Sequence, residues 1–355
     1  MLALHALGLP LKWTPVIFDE RSPLLPPETS SDLGLDQWRD EPVDPDVVVL
    51  HSVPEIYPAL SPFRDRATPW ILHTVWEHEV LQSHWPGLLN QFDGVIVPTE
   101  WNADVFRSSG VTVPVAVVPH VAATDPAATE WLARPPVSAG ESFVVGSIAE
   151  WTLRKEPWVS VEAYARAFTP DDDTLLVMRT NSHIHELLEG PAGPPGKNRL
   201  SSWWVAHGLF AHHPVGRVHL VHEALSFEQI AGLHARSDCY LALPRCEGWD
   251  LGTFDAAVSG TPVITTASAG PLEYLEADST FLIAGSVVPH DPIPGATWLL
   301  PHVDEAVDAL RAAHARPDAA TARAAAQAER LRERFSPPNV ATRFVQALVD
   351  LEVMP

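Results

Sequence analysis

The sequence predicts an α/β fold built from two doubly wound parallel sheets, and three observations lead to this prediction. Short apolar runs rich in β-branched residues alternate with helical patterns along nearly the whole chain. The runs are continuously apolar, as expected for strands of a parallel sheet that is covered on both faces. The alternation breaks once, over residues 122–141, and then resumes. At 355 residues, the chain is long enough for two domains of ordinary size.

The first half of the chain contains four of these predicted strands, at 46–51, 70–75, 94–97 and 115–118. Helical patterns follow at 80–92 and 100–109. The second of these helices has Thr99 as its predicted N-cap and Gly110 as its stop. This strand–helix order is typical of a βαβ series, and residues 1–125 therefore form the first predicted domain.

The second half repeats the pattern with six predicted strands, at 143–148, 174–178, 218–221, 239–243, 262–266 and 280–283. A helix at 226–236 begins with Ser226 and Gln229, which are spaced as a capping box. We predict a second domain over 140–335 and a final helix, 336–355, that packs back on the first domain. Two such sheets would place a ligand in a cleft at the carboxyl ends of their strands.

The composition excludes several classes of protein. The chain has 23 basic and 45 acidic residues, a net charge of −22, which argues against a nucleic-acid or anionic-membrane partner. Its two cysteines form no disulfide framework. No apolar run reaches the roughly 20 residues that a transmembrane helix needs. We therefore expect a cytoplasmic protein.

The common cofactor motifs are missing from the sequence. His78, Glu79 and His84 suggest a zinc helix, but that motif needs histidines four residues apart and these are six apart. The glycine-rich fingerprints of dinucleotide-binding and P-loop proteins do not occur either. We expect no metal and no bound cofactor.

Residues 238–270 carry the most informative pattern. A predicted strand runs into a tight polar turn, and a helix follows from about residue 251. Glu247 lies in the turn and Asp255 lies on the helix, beside the free backbone N–H groups of the helix start. Carboxylates in this place can accept hydrogen bonds from sugar hydroxyls. The alternative is a solvated turn acid and a helix acid that compensates the dipole.

A second pattern follows the predicted strand 143–148. Arg154 and Lys155 stand together at the entry to a helix, where two cations oppose the helix dipole. A bound anion explains this placement, and a diphosphate suits it. The alternative is an ordinary basic pair at the surface.

Both patterns resemble retaining, family 4 glycosyltransferases with the GT-B fold. Their signature, EGFGLPxxEAxxxGTPV, is similar to residues 247–263, where this chain has EGWDLGTFDAAVSGTPV. The resemblance implies that Glu247 binds the donor sugar, that Asp255 holds the ribose, and that Lys155, with Arg154, neutralises the departing diphosphate. It also implies donor contacts from the remaining residues of the turn, Gly248, Trp249, Asp250, Leu251 and Gly252.

Two of the departures from the signature matter for binding. Asp255 replaces a glutamate and is shorter by about one methylene. Asp250 stands where the signature has a small residue, and its extra charge would disfavour an acidic donor sugar.

The N-terminal half matches more loosely. Residues 73–121 are similar to the stretch that carries the acceptor-side loop in the family, and the resemblance places Glu77 and His73 near the reacting carbon. The alternatives are a helix-start acid for Glu77 and a hydrogen-bonded core histidine for His73. The resemblance covers about residues 43–350.

The resemblance implies a hexosyltransferase-like enzyme that moves a sugar from a nucleotide-diphosphate donor to an acceptor hydroxyl with retention of configuration. Two alternatives stay open: a non-catalytic or truncated sugar-nucleotide-binding protein, and a nucleotide-sugar 2-epimerase of the same fold. Truncation enters because residues 1–7 are predicted to form a helix and residues 12–18 a second strand. We therefore expect that a first strand and its Gly-rich loop are missing.

Overall fold

The computed structural model describes residues 1–16, 35–39, 41–65, 67–122, 142–180, 217–290 and 292–354. The chain divides into two compact units. Unit 1 consists of Met1–Val121 together with Phe335–Pro355, and unit 2 is Ala122–Arg334. The break in the strand–helix alternation, 122–141, lies almost entirely outside the described residues.

Unit 1 contains a parallel sheet whose described strands are β1 (Val48–His51), β2 (Trp70–His73), β3 (Gly94–Val97) and β4 (Val115–Val117). They lie side by side in the order β1-β2-β3-β4. Ile71, Leu72 and the apolar residues of β3 are completely buried, which agrees with the continuously apolar runs of the sequence.

The first helices of the chain are short: α1 (Leu2–Ala6), α2 (Tyr57–Leu60), α3 (Trp85–Leu89) and α4 (Glu100–Ser108). Single 3₁₀ turns occupy Asp36–Trp38, Pro54–Ile56 and Ser61–Phe63. The hydroxyl of Thr99 accepts a hydrogen bond from the N–H of Asn102 and caps α4 as predicted.

Two predictions for unit 1 are wrong. The helix predicted over 80–92 is reduced to α3, which begins at Trp85 with Pro86 in its first turn, where a proline can start a helix but cannot continue one. The strand predicted over 12–18 is absent from its described part, where Trp13 makes only an isolated bridge with Arg39.

Unit 2 contains a larger parallel sheet. Its strands are β5 (Phe143–Ile148), β6 (Thr174–Arg179), β7 (Arg217–Val221), β8 (Cys239–Ala242), β9 (Val263–Thr266) and β10 (Phe281–Ile283). Their order is β10-β9-β8-β5-β6-β7, so the strand order reverses between β5 and β8. Ligands of doubly wound sheets bind at such a reversal, outside the carboxyl ends of the strands.

The helices of unit 2 are α5 (Pro157–Ala167), α6 (Phe227–Arg236), α7 (Leu251–Ser259), α8 (Val303–Ala315) and α9 (Pro317–Arg334), with a 3₁₀ turn at Gly270–Glu273. α6 begins with the predicted capping box of Ser226 and Gln229. Residues of α5 and α8 and one face of the sheet form the main core of this unit, which includes Trp151, Tyr164 and Leu310.

Two further elements complete the described chain. An antiparallel hairpin, β11 (Gly285–Pro289) with β12 (Thr297–Pro301), follows β10 and was not predicted. The last helix, α10 (Pro337–Asp350), belongs to unit 1, where it contacts α1 and β4. Leu351, at the end of α10, packs over Gly94 of β3.

Candidate active site

A cluster of charged side chains lies at the carboxyl ends of β5 and β8. The loop after β5 carries Arg154 and Lys155, and the turn between β8 and α7 carries Glu247 and Asp250. Because β5 and β8 are neighbours in the sheet, their carboxyl ends meet at one edge. The fold therefore brings together four groups that are about 90 residues apart in sequence.

Ion pairs link the four groups. Glu247 Oε1 lies 2.7 Å from Arg154 Nη1 and 2.5 Å from Lys155 Nζ. Lys155 Nζ also lies 3.3 Å from Asp250 Oδ1. Glu247 is only 4% exposed, so the alternative of a solvated turn acid is wrong. The alternative of an ordinary surface pair for Arg154 and Lys155 is also wrong, because their partners Glu247 and Asp250 are buried.

Asp250 has an unusual backbone conformation. Its φ of 64° and ψ of 81° lie in left-handed space, where glycine is the residue without steric cost. Its carboxylate accepts a hydrogen bond of 2.5 Å from the hydroxyl of Thr253, and its carbonyl accepts one of 3.2 Å from Tyr274. The extra acid that departs from the family signature is thus held on both its backbone and its side chain.

Burial and charge shift the protonation of these groups. Burial disfavours the charged form of Lys155, but the carboxylates of Asp250 and Glu247 outweigh it and raise the pKa of Lys155. Burial raises the pKa of Glu247 although Lys155 and Arg154 oppose it. Burial, followed by the charge of Asp250, raises the pKa of Asp255 to about 7. With both cations and both carboxylates charged, the formal charge of the cluster sums to zero.

The remaining residues of the turn differ in what their side chains do. Trp249 is 3% exposed and packs against Phe254 and Tyr274, with ring centroids 4.9 Å and 4.8 Å away. Leu251 stands at the start of α7, and its side chain is 54% exposed. Gly252 and Gly270 allow close approach: an added Cβ at Gly252 would overlap the Tyr240 hydroxyl, and one at Gly270 would overlap the carbonyl of Gly248.

His73 and Glu77 lie in unit 1, at and after the carboxyl end of β2. The His73 ring stacks on His51 at 4.7 Å between centroids, and His120 lies 6.5 Å away. Burial, with smaller contributions from His51 and His120, lowers the pKa of His73 to about 3, so its imidazole is neutral at pH 7.

Glu77 is half-buried in a segment without regular structure, so its interpretation as a helix-start acid is wrong. Its neighbour Trp76 is fixed by Asn102 of α4. The amide of Asn102 accepts a bond of 3.3 Å from the N–H of Trp76 and donates one of 2.8 Å to its carbonyl.

Sequence reasoning missed the residues that hold the site together. Arg245, Glu156 and Thr253 all bond to members of the two loops, and none of them was predicted as a site residue. The one signal in the sequence is Arg245, a cation that stands two residues before Glu247. Within the described ranges, no group of three or more His, Cys, Asp or Glu side chains could hold a metal ion.

Part of the chain matches a known protein family. Residues 210–344 match a family model described as family 4 glycosyltransferase in conflict systems. The matched range contains Glu247, Asp250 and Asp255, the three acids of the turn and of α7. The resemblance to family 4 glycosyltransferases of GT-B fold is confirmed.

Solved structures extend the likeness to most of the chain. Sucrose-phosphate synthase from Thermosynechococcus elongatus is 16% identical with a TM-score of 0.62, over 86% of this chain and 74% of that one. Anabaena HepE in complex with UDP and glucose is 16% identical with a TM-score of 0.63, over 86% and 78%. Trehalose 6-phosphate synthase from Burkholderia multivorans is 14% identical with a TM-score of 0.61, over 86% and 72%.

At these identities the likeness concerns the fold, and the predicted α/β class with two Rossmann-like sets of parallel strands is confirmed. A sequence search of the curated proteins finds no match. No helix within the described ranges has the length and the apolar character that a bilayer crossing requires.

Proposed function

We propose that this chain is a retaining glycosyltransferase that moves a hexose-like sugar from a nucleotide-diphosphate donor to an acceptor hydroxyl. The observation that carries the proposal is the convergence of Arg154 and Lys155 with Glu247 and Asp250 at the strand-order reversal of unit 2. This placement joins anion-binding and hydroxyl-binding groups at the edge where doubly wound sheets bind ligands.

The two cations act on the leaving group. An ammonium group has three donors, and Glu247 and Asp250 take two of those on Lys155. The third is directed to a phosphate oxygen, and Arg154 adds a second cation beside it. Charge that develops on the diphosphate as the glycosidic bond breaks is then stabilised by groups that are already in place. In this proposal the cations supply that stabilisation, and no metal ion takes part.

The acids position the donor. Glu247 and the backbone of 249–252 hold the sugar, and Asp255 holds the ribose. The family resemblance implies that His73 and Glu77 act at the reacting carbon. We propose that the acceptor hydroxyl attacks this carbon from the face that the diphosphate leaves. No protein nucleophile is needed for this route. The structures of HepE with UDP and with UDP-glucose support a uridine nucleotide as the donor class to test first.

A two-stage experiment tests the proposal. Thermal-shift titrations with UDP-, GDP- and TDP-sugars come first, because a ligand at 100 times its Kd adds about 2.7 kcal/mol of stability. The donor that stabilises the chain is then incubated with candidate acceptors in the presence of a metal chelator. We expect nucleotide release that depends on the acceptor and a product with the anomeric configuration of the donor.

Other results would identify the alternatives. Binding without turnover on any acceptor would indicate a nucleotide-sugar-binding protein. Release of nucleotide without an acceptor, with epimerised sugar, would indicate a 2-epimerase. An inverted product would contradict the retaining mechanism, and stabilisation by none of the donors would contradict the whole proposal.

A further inference from the structure

Arg245 connects the two loops of the site without belonging to the charged cluster. It stands at the beginning of the turn after β8, and its side chain is 18% exposed. Its guanidinium donates two parallel hydrogen bonds to the carboxylate of Glu156, 2.7 Å from Nε to Oε2 and 2.5 Å from Nη2 to Oε1. The charge of Arg245 is therefore neutralised by Glu156, in a planar two-point contact that fixes direction as well as distance.

Glu156 occupies a position where its conformation matters. It directly follows Lys155, stands at the N-cap of α5 and is 5% exposed. Its φ of 44° and ψ of 47° are left-handed, a conformation that a residue other than glycine keeps only where the surroundings impose it. The turn at Glu156 sets the direction in which the chain leaves Lys155, and Arg245 is the ion-pair partner that holds this turn.

Main-chain bonds tie the same two loops together. The N–H of Arg245 donates to the carbonyl of Arg154 at 2.8 Å. In the reverse direction, Arg154 Nη1 lies 3.4 Å from the carbonyl of Cys246. One of these bonds therefore ends on Arg154 itself, and the other ends on the residue before Glu247.

The hairpin supports Arg245 from a third side. The guanidinium carbon lies 4.7 Å from the ring centroid of Trp298 in β12, and the N–H of Leu299 donates to the carbonyl of Arg245 at 3.1 Å. An ammonium group on a flexible chain could not fill this place, because the stacked plane and the two parallel bonds both need the flat guanidinium.

We infer that Arg245 is a positioning residue that holds Arg154 and Lys155 where they can bind the donor diphosphate. The inference rests on the proposed function, since it assumes that these cations meet a diphosphate. Arg245 acts through Glu156 and the main chain. If so, its loss weakens binding of the diphosphate and leaves binding of the nucleoside part unchanged.

Two variants separate positioning from stability. Arg245→Met leaves the buried carboxylate of Glu156 without its partner, and we expect a lower Tm for this variant. Arg245→Met with Glu156→Gln removes both charges, and we expect its Tm to return close to that of the parent, because replacing a whole buried ion pair is often neutral.

The test is calorimetric titration of each protein with UDP and with uridine, and with the corresponding GDP and TDP pairs if the parent prefers another base. In the double variant we expect the Kd for the nucleoside diphosphate to rise about tenfold or more, since small misplacements of aligned groups are costly, and the Kd for the nucleoside to stay unchanged. Arg330→Met is the matched control. Arg330 lies on α9 and makes a two-point pair with Glu276, which this change breaks, and we expect the Kd for UDP to stay that of the parent.

A double variant that binds the diphosphate as tightly as the parent would overturn the inference and leave the proposed function intact. Equal weakening for nucleoside and diphosphate would also overturn it, because a general loosening of the fold affects both ligands. A parent that binds none of the diphosphates would overturn the proposed function and, with it, this inference.

Discussion

Lys155 is the side chain on which the proposed chemistry depends most directly. Replacing it with alanine removes the ammonium group that faces the leaving diphosphate, and we expect kcat to fall by about 10²–10³, the effect of losing one preorganised donor. Because Lys155 pairs with two buried carboxylates, we also expect a loss of about 1.5–3 kcal/mol in the free energy of unfolding.

Steady-state kinetics and denaturant unfolding of Lys155→Ala give both values. Lys12→Ala is the control, since Lys12 is exposed in unit 1 and outside the cluster. A Lys155→Ala variant with the kcat of the parent would show that the cations only balance Glu247 and Asp250. If Lys155→Ala is less stable but keeps the kcat of the parent, Lys155 has only this structural role.

The raised pKa of Asp255 predicts how the free energy of unfolding depends on pH. Its pKa is raised from 3.8 to about 7 in the folded chain, so between these pH values the folded state keeps a proton that the unfolded state has released. The free energy of unfolding therefore falls as pH rises through this window, by a contribution that approaches about 1.4 kcal/mol per pH unit.

The comparison with Asp255→Asn isolates this contribution. The amide does not titrate, so the variant should gain stability relative to the parent between pH 4 and pH 7. Urea unfolding at several pH values measures it, with Asp318→Asn, an exposed acid of the same unit, as the control. Parallel pH profiles of the parent and Asp255→Asn would show that folding does not shift the pKa of Asp255.

Asp250 shows what the sequence could not supply about single residues. The extra charge was evident from the motif, and a repulsive effect on acidic sugars followed from it. Its pairing with Lys155 was not evident, because the two residues are 95 positions apart and meet only through the neighbouring strands β5 and β8. The left-handed backbone at this position is also invisible in the residue type, since aspartate gives no signal comparable to glycine.

The packing of α7 on β8 depends on the absence of a side chain at Gly252. Alanine normally favours a helix, but here its Cβ would overlap the Tyr240 hydroxyl, which is fixed by bonds of 3.3 Å with the N–H and the carbonyl of Ile148. We expect Gly252→Ala to destabilise the chain by about 1–3 kcal/mol, as overpacking does.

The cost should be smaller in a Tyr240→Phe background, where the overlapping atom is gone. A double-mutant cycle from thermal unfolding measures this coupling. Gly87→Ala is the control, because Gly87 lies in α3 with open space around its Cβ position, where alanine should stabilise by about 0.5–1 kcal/mol. Additive effects in the cycle would contradict the overlap.

The parallel strands were predictable to within a residue or two, because strands covered on both faces leave continuous apolar runs. The hairpin β11–β12 was not, since its runs are short and β11 is largely exposed, so burial leaves no pattern. The segment 80–92 gave a helical pattern, yet Pro86 and the surrounding turns restrict the helix to Trp85–Leu89. Local composition therefore predicts an element well where burial determines which residues are apolar. It predicts an element poorly where one backbone restriction, such as a proline, determines where the element begins or ends.

The net charge of the whole chain opposes the charge of the proposed donor. With 23 basic and 45 acidic residues, the chain carries −22, whereas the four-group cluster is formally neutral. A nucleotide diphosphate is an anion, so it approaches against a repulsive field that acts over long distances. Salt screens that field, with a Debye length of about 10 Å at 0.1 M, and weakens close contacts with buried groups much less.

We therefore expect affinity for UDP to stay constant or to increase when ionic strength rises from about 0.02 M to about 0.2 M, contrary to anion sites on basic proteins. Calorimetric titration at both salt concentrations measures this. Asp250→Asn is the internal comparison, because it gives the cluster a charge of +1 and leaves the chain at −21. Its affinity for UDP should be higher than that of the parent at low salt and should fall as salt is added. If the parent itself loses affinity for UDP steeply as salt is added, the donor binds to an excess of positive charge. The donor site would then have to include cations outside the formally neutral cluster.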